Sequence, residues 1–173
     1  MYSTLILLDD LLDWSKTSHD SQATQKEPYA LDSIVDALFS PLQVMAAQKN
    51  VTLINEVATN LTGSHNEKII SFILRNLLVN AVKFTRDGTV RMTANRVNDK
   101  INICVADTGR GMTEEQVQKI LSKESRSTPG TDNEQGSGLG YLLIHEFLQQ
   151  TGGTINIESA VGRGTKVALL IPG

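Results

Sequence analysis

The chain has 173 residues, 40% of them hydrophobic, with a formal net charge of −3, three histidines and a single cysteine. That length supports one domain with a sizeable core. The mildly acidic balance excludes broad electrostatic affinity for nucleic acid or an anionic membrane, and the lone Cys104 excludes an internal disulfide or a cysteine metal cluster. No secretory signal pattern is present, and no apolar run approaches the roughly 18 residues that a membrane span needs.

In chain order, residues 1–18 read as a helix. Leu5, Leu8, Leu12 and Ser15 fall at three- and four-residue steps, with Leu7, Leu11 and Trp14 on an adjoining stripe. So apolar a helix wants a partner helix, and it reads as the end of a longer one. Residues 19–28 are polar and aperiodic, a linker. An extended piece at 29–31 follows Pro28. Asp32 or Ser33 is placed to cap a helix running to about Lys49, with Pro41 as a kink point. Residues 51–57 read as a strand, Thr62-Gly63-Ser64 as a turn, and 66–85 as a long helix with Ile70, Ile73, Leu74, Leu77, Leu78 and Ala81 as its core stripe. Strands at 89–97 and 100–107 form a hairpin. Thr113 caps a short helix ending at Leu121. Residues 122–137 are a loop rich in Ser, Gly and Thr, 139–150 a helix, and 154–159 and 165–171 the last strands. Helices and strands in groups, with tight turns between strands, predict a two-layer α/β sandwich. Its helices lie on one face of a mixed, mostly antiparallel sheet, rather than in a doubly wound parallel fold.

Four stretches carry chemistry. Asp107-Thr108-Gly109-Arg110-Gly111-Met112 follows the apolar run 101–106. Asp107 at the strand end suits an exocyclic amine, and Gly109 and Gly111 let the backbone pass close to a flat ring. Taken alone, this pattern equally describes a plain turn. On the long helix, Asn76, Asn80 and Lys83 share roughly 60° of a face other than the core stripe. Two mid-helix amides with a lysine beyond suit a phosphate and its Mg²⁺, because an amide oxygen is a hard ligand and an ammonium offsets phosphate charge. A solvated polar face is the plain alternative. Gly136-Ser137-Gly138-Leu139-Gly140 opens a helix whose free N–H groups suit an anion. It matches neither a Walker A loop nor a dinucleotide-binding turn. Gly162-Arg163-Gly164-Thr165 reads as a hairpin turn that also brings the Thr165 hydroxyl toward Asp107.

Together, in this order and spacing, residues 29–173 resemble the catalytic and ATP-binding domain of sensor histidine kinases, within the Bergerat-fold ATPases and kinases. The resemblance implies an N box (Asn76, Asn80, Lys83, Phe84) and glycine boxes at Asp107-Gly109-Gly111, Gly136-Gly138-Gly140 and Gly162-Gly164-Thr165. It implies that Asp107 holds the adenine amine, that Asn80 holds Mg²⁺, that Lys83 approaches the phosphates and that Phe84 packs near the base. Met112, Ser137, Leu139 and Thr165 complete the expected ATP contacts. Residues 112–137 would be the ATP lid, with Arg126 or Lys123 reaching the phosphates, and residues 1–18 the end of a dimerisation helix. By the same resemblance, ATP and Mg²⁺ are the cofactors. The partners are the helices that carry the phosphoaccepting histidine and a downstream response regulator, with neither nucleic acid nor direct membrane contact. The setting is the cytoplasmic part of a membrane-bound sensor.

Hydrolysing relatives, and related serine kinases, usually carry a glutamate where this chain has Asn76. An amide is no strong base, and an imidazole acceptor needs none, which favours transfer to histidine. Two features depart from the family. The phenylalanine box before the lid is replaced by Ile120-Leu121-Ser122-Lys123-Glu124, and none of His19, His65 and His145 sits in a phosphoacceptor pattern. ATP hydrolysis for conformational change, and a non-catalytic domain that binds a nucleotide or partner, are the alternative functions.

Overall fold

The computed structural model describes residues 28–122 and 140–173. Its elements are β1 (Tyr29–Ala30), α1 (Leu31–Gln48), β2 (Val51–Val57), β3 (Thr62–Gly63), α2 (Glu67–Lys83), β4 (Gly88–Val97), β5 (Lys100–Asp107), α3 (Glu114–Leu121), α4 (Gly140–Thr151), β6 (Thr154–Ala160) and β7 (Gly164–Pro172). Five strands form one sheet in the order β2-β4-β5-β7-β6. Only β2 and β4 run parallel; the pairings β4–β5, β5–β7 and β6–β7 are antiparallel. The mixed two-layer sandwich expected from the sequence is therefore the fold.

Strand alternation explains which face is covered. Val90, Met92 and Ala94 of β4, Ile101, Ile103 and Val105 of β5, and Val167, Leu169 and Ile171 of β7 are all buried. They meet the apolar stripes of α1 (Ile34, Val35, Leu38, Leu42), α2 (Ile70, Ile73, Leu74, Leu77, Leu78) and α4 (Ile144, Phe147, Leu148) in one core. The opposite face carries polar cross-strand pairs such as Arg91–Glu56 and Lys166–Glu158. Cys104 is a buried free thiol.

Several local expectations change. Residues 62–63 are not a plain turn but the short strand β3, which pairs with β1. Neither Asp32 nor Ser33 caps α1, which begins at Leu31 with Ala30 as N-cap and no side-chain cap; instead Leu31 N–H donates to the Leu61 carbonyl, so tertiary pairing replaces the cap. The helix continues through Pro41. Asn66 caps α2 by accepting from the Lys68 and Ile69 amides at 3.0 and 3.3 Å. Thr113 caps α3 in a reciprocal pair with Gln116. His145 Nε2 lies 2.8 Å from the Ile120 carbonyl and ties α4 to α3. No described helix is long and apolar enough to cross a membrane.

Candidate functional site

Central strand β5 ends at Asp107, half-buried at the rim of the helical face. Its Oδ1 accepts from the Gly109 amide at 2.8 Å and from the Thr165 amide at 3.2 Å. The first bond is the local turn that an Asp side chain makes with the backbone two residues on. The second comes from β7, whose register sets Thr165 opposite Asp107. Both backbone donors thus converge on one carboxylate oxygen. Burial pushes the Asp107 carboxyl above the usual aspartate range, and the two amides pull it partly back.

The turn after β5 is sealed on two sides. Arg110 N–H donates to the Phe84 carbonyl at 3.0 Å. A Cβ on Gly109 would strike that same carbonyl and approach the buried Thr85 Oγ1 to 2.8 Å, so only glycine lets the turn lie against the end of α2. On the other side Gly111 adopts φ +66°, and a Cβ there would collide with the Ala160 carbonyl. Gly162 N–H donates to the Arg110 carbonyl at 2.7 Å, and Met112 N–H donates to Ser159 Oγ at 2.9 Å. The Ser159 hydroxyl in turn reaches the Gly164 carbonyl at 3.0 Å and Thr165 Oγ1 at 2.9 Å. The β6–β7 hairpin therefore acts as a clamp on residues 107–112.

Helix α2 supplies the facing wall. Asn76 and Asn80 are half-buried one turn apart, and Lys83 is buried at the helix end. The Asn76 amide nitrogen donates to the Phe72 carbonyl at 2.9 Å. Its oxygen stands 2.7 Å from where a Cβ on Gly140 would sit, so α4 comes directly against Asn76. The next residue on α4, Tyr141, has its phenol pKa raised, first by burial and second by the Asp107 charge. Asp107 and the first described turn of α4 are thus within electrostatic reach. Both Lys83 and Arg110 lie over the Phe84 ring, at 4.9 and 4.6 Å from its centroid, in cation–π contact. Lys49 Nζ, buried at the end of α1, donates to the Lys83 carbonyl at 2.6 Å.

The structure thus brings Asp107, Gly109, Gly111, Met112 and Thr165 together with Lys83 and Phe84, and sets Asn76 and Gly140 beside them. Asn80 is one turn further along α2. Arg126, Lys123, Gly136, Ser137, Gly138, Leu139 and residues 1–27 lie outside the described residues. Of the segment 112–137, residues 112–122 are described and contain α3. Sequence reasoning missed Ser159, Tyr141, Arg110 and Lys49. Tyr141 adjoins Gly140 and Ser159 stands three residues before Gly162, and that nearness to a glycine box was the one signal available. Lys49 carried no signal, because its role depends on a contact with a residue 34 positions on. Among the described residues, no group of three or more His, Cys, Asp and Glu side chains converges as a metal cage.

Residues 65–173 match the family model for the histidine kinase-, DNA gyrase B- and HSP90-like ATPases. The chain is 31% identical over 170 residues to the histidine protein kinase DivJ of Caulobacter vibrioides, covering 97% of this chain and 28% of DivJ. It is 34% identical over 173 residues to the circadian input-output histidine kinase CikA of Synechococcus elongatus, covering 97% of this chain and 23% of CikA. The chain therefore spans about a quarter of the length of these relatives. Full-length ShkA, solved in complex with AMPPNP, superposes with a TM-score of 0.75 at 23% identity, covering 97% of this chain and 35% of that one. A wall of amides on α2, a carboxylate at the end of the central strand and glycines at each close approach, in a mixed sheet of this order, agree with the family match: the chain belongs to the histidine kinase-, DNA gyrase B- and HSP90-like ATPase family.

Proposed function

We propose that residues 29–173 are the ATP-binding catalytic domain of a sensor histidine kinase, which passes the γ-phosphoryl group of ATP to a histidine on a dimerisation domain. The observation that carries this reading is the state of Asp107. One of its oxygens is taken by two backbone amides, which anchors the carboxylate and supports a reading in which Oδ2 accepts from an exocyclic amine. The family relationship makes adenine the group concerned, and ShkA binds the ATP analogue AMPPNP. Lys83 at the end of α2 would bring its ammonium to the phosphates, and Asn80 would offer a hard amide oxygen to a Mg²⁺ ion. When bound, that ion neutralises charge on the phosphate oxygens.

What the chain itself contributes is positioning. Phe84, held under two cations at the end of α2, would offer an apolar plate to the ligand. Asn76 is engaged with the helix backbone and with α4, and as an amide it takes no proton from water. Phosphoryl transfer to an imidazole needs no such base, because the neutral ring is already a nucleophile. His65 packs its ring 5.6 Å from Phe147 and His145 is tied to Ile120, so neither suits the acceptor. The acceptor belongs to a partner helix, with residues 1–18 as the end of a dimerisation helix and 19–28 as its linker. A response regulator would receive the phosphoryl group next.

The test mixes this chain with labelled ATP, Mg²⁺ and a separately made helical hairpin bearing the acceptor histidine. Acid-labile, base-stable phosphohistidine on the hairpin, with none on the chain alone, is the expected result. Steady phosphate release by the chain alone would support hydrolysis instead. ATP binding without either reaction would mark a non-catalytic nucleotide module.

A further inference from the structure

The Ser159 hydroxyl has no part in the function just described, yet it joins three segments at the purine end of the site. It accepts from Met112 N–H at 2.9 Å, lies 3.0 Å from the Gly164 carbonyl and 2.9 Å from the Thr165 hydroxyl. A serine hydroxyl has one proton and two lone pairs. One lone pair is taken by Met112. If the serine proton goes to the Gly164 carbonyl, which can only accept, then the Thr165 hydroxyl must donate to the remaining lone pair. All three contacts are then satisfied and Ser159 is saturated. If the serine proton went to Thr165 instead, the half-buried Gly164–Ser159 contact would set two acceptors face to face. The first arrangement is favoured, and it commits the Thr165 proton inward. Toward the site Thr165 shows only lone pairs, beside Asp107, whose Oδ1 is fixed by the Thr165 amide at 3.2 Å. The edge that meets a base is therefore built of acceptors.

We propose that Ser159 is a positioning residue for purine selectivity: by holding the Thr165 hydroxyl as an acceptor, it tunes the Asp107 edge for a 6-amino purine and against a 6-oxo purine. The inference rests on the ATP-site reading above. An amino group donates to this edge, whereas a 6-oxo group would bring a further acceptor against it. Without Ser159 the Thr165 proton turns outward and can meet a 6-oxo group, so the discrimination shrinks.

The experiment is calorimetric titration of the whole chain with AMPPNP and with GMPPNP, each with Mg²⁺, for the wild type, Ser159→Ala, Ser159→Thr and Thr165→Val. The wild type is expected to prefer the adenine nucleotide. Ser159→Ala should lower the adenine-to-guanine affinity ratio about tenfold, the worth of one hydrogen bond left unmade, whereas general loosening of the hairpin would weaken both ligands alike. Ser159→Thr restores the hydroxyl and should restore the ratio. Should Ser159→Ala fail to fold, Thr165→Val removes the same acceptor and should lower the ratio in the same direction. An unchanged ratio in the soluble variants, or no purine preference in the wild type, overturns the role of Ser159. A wild type that binds neither nucleotide overturns the ATP-site reading instead.

Discussion

A half-buried carboxylate kept ready for a ligand works against the fold that holds it. Burial raises the Asp107 pKa, so the folded chain holds that proton more tightly than the unfolded chain does. The sign follows from linkage: the contribution to stability is full below the unfolded-state pKa and is lost as pH rises through the raised folded value. Asp107→Asn removes the charge and keeps an oxygen for the Gly109 and Thr165 amides. It should raise the thermal midpoint at neutral pH and leave it nearly unchanged near about pH 3, where both side chains are neutral. The same variant should weaken ATP binding by about 1–3 kcal/mol, because an amide N–H would then face the exocyclic amine; calorimetry on a variant that binds ATP as the wild type does would refute the assignment. Acidification should mimic the substitution. Nucleotide affinity of the wild type should fall as pH drops through the Asp107 pKa, at a pH above the usual aspartate range, while Asp107→Asn shows no such step.

At the scale of the element, α2 carries the site because both its ends are fixed. Asn66 closes its N-terminus, and the buried Lys49 ammonium meets its last residue at the Lys83 carbonyl. A cation at a helix C-terminus interacts favourably with the helix dipole. Here the same contact sets the height of the turn where Lys83, Phe84 and Thr85 leave the helix against Gly109. Lys49→Met preserves the side-chain length and removes the charge. It should cost about 1–2 kcal/mol of stability, read from the urea midpoint, and should also weaken nucleotide binding through Lys83. A midpoint equal to that of the wild type would show that the contact is incidental.

At the scale of the molecule, the site is assembled from parts far apart in the chain: the end of α2, the end of β5, the start of α4 and the β6–β7 hairpin. A ligand that touches all of them binds only the folded state, and so it stabilises the whole domain by mass action. With ATP–Mg²⁺ at about a hundred times its Kd, the gain is about 2.7 kcal/mol, which corresponds to roughly 5–10 °C in Tm for a chain of this size. Differential scanning calorimetry should show that shift for the wild type and a clearly smaller one for Asp107→Asn at the same ATP concentration, reduced by as much as the variant's loss of affinity. A shift of equal size in both would place the ligand elsewhere.

Local pattern was enough to read the two layers, the stripes of α2 that face the sheet, the strand that ends at Asp107 and the glycines needed at 109 and 111. These are local matters: side-chain period fixes which face is buried, and a missing Cβ can be read at its own position. Packing in three dimensions settles that β2 runs parallel to β4, that residues 62–63 pair with β1, and that Leu31 finds its partner in the Leu61 carbonyl rather than in a side-chain cap. Period alone names a face but not a neighbour. The same reason hid Ser159, Tyr141 and Lys49. Each acts through a partner that folding brings close: a serine on β6 meets an amide 47 residues earlier, and a lysine on α1 meets a carbonyl 34 residues later. Such contacts depend on strand register and helix packing, which no local pattern encodes.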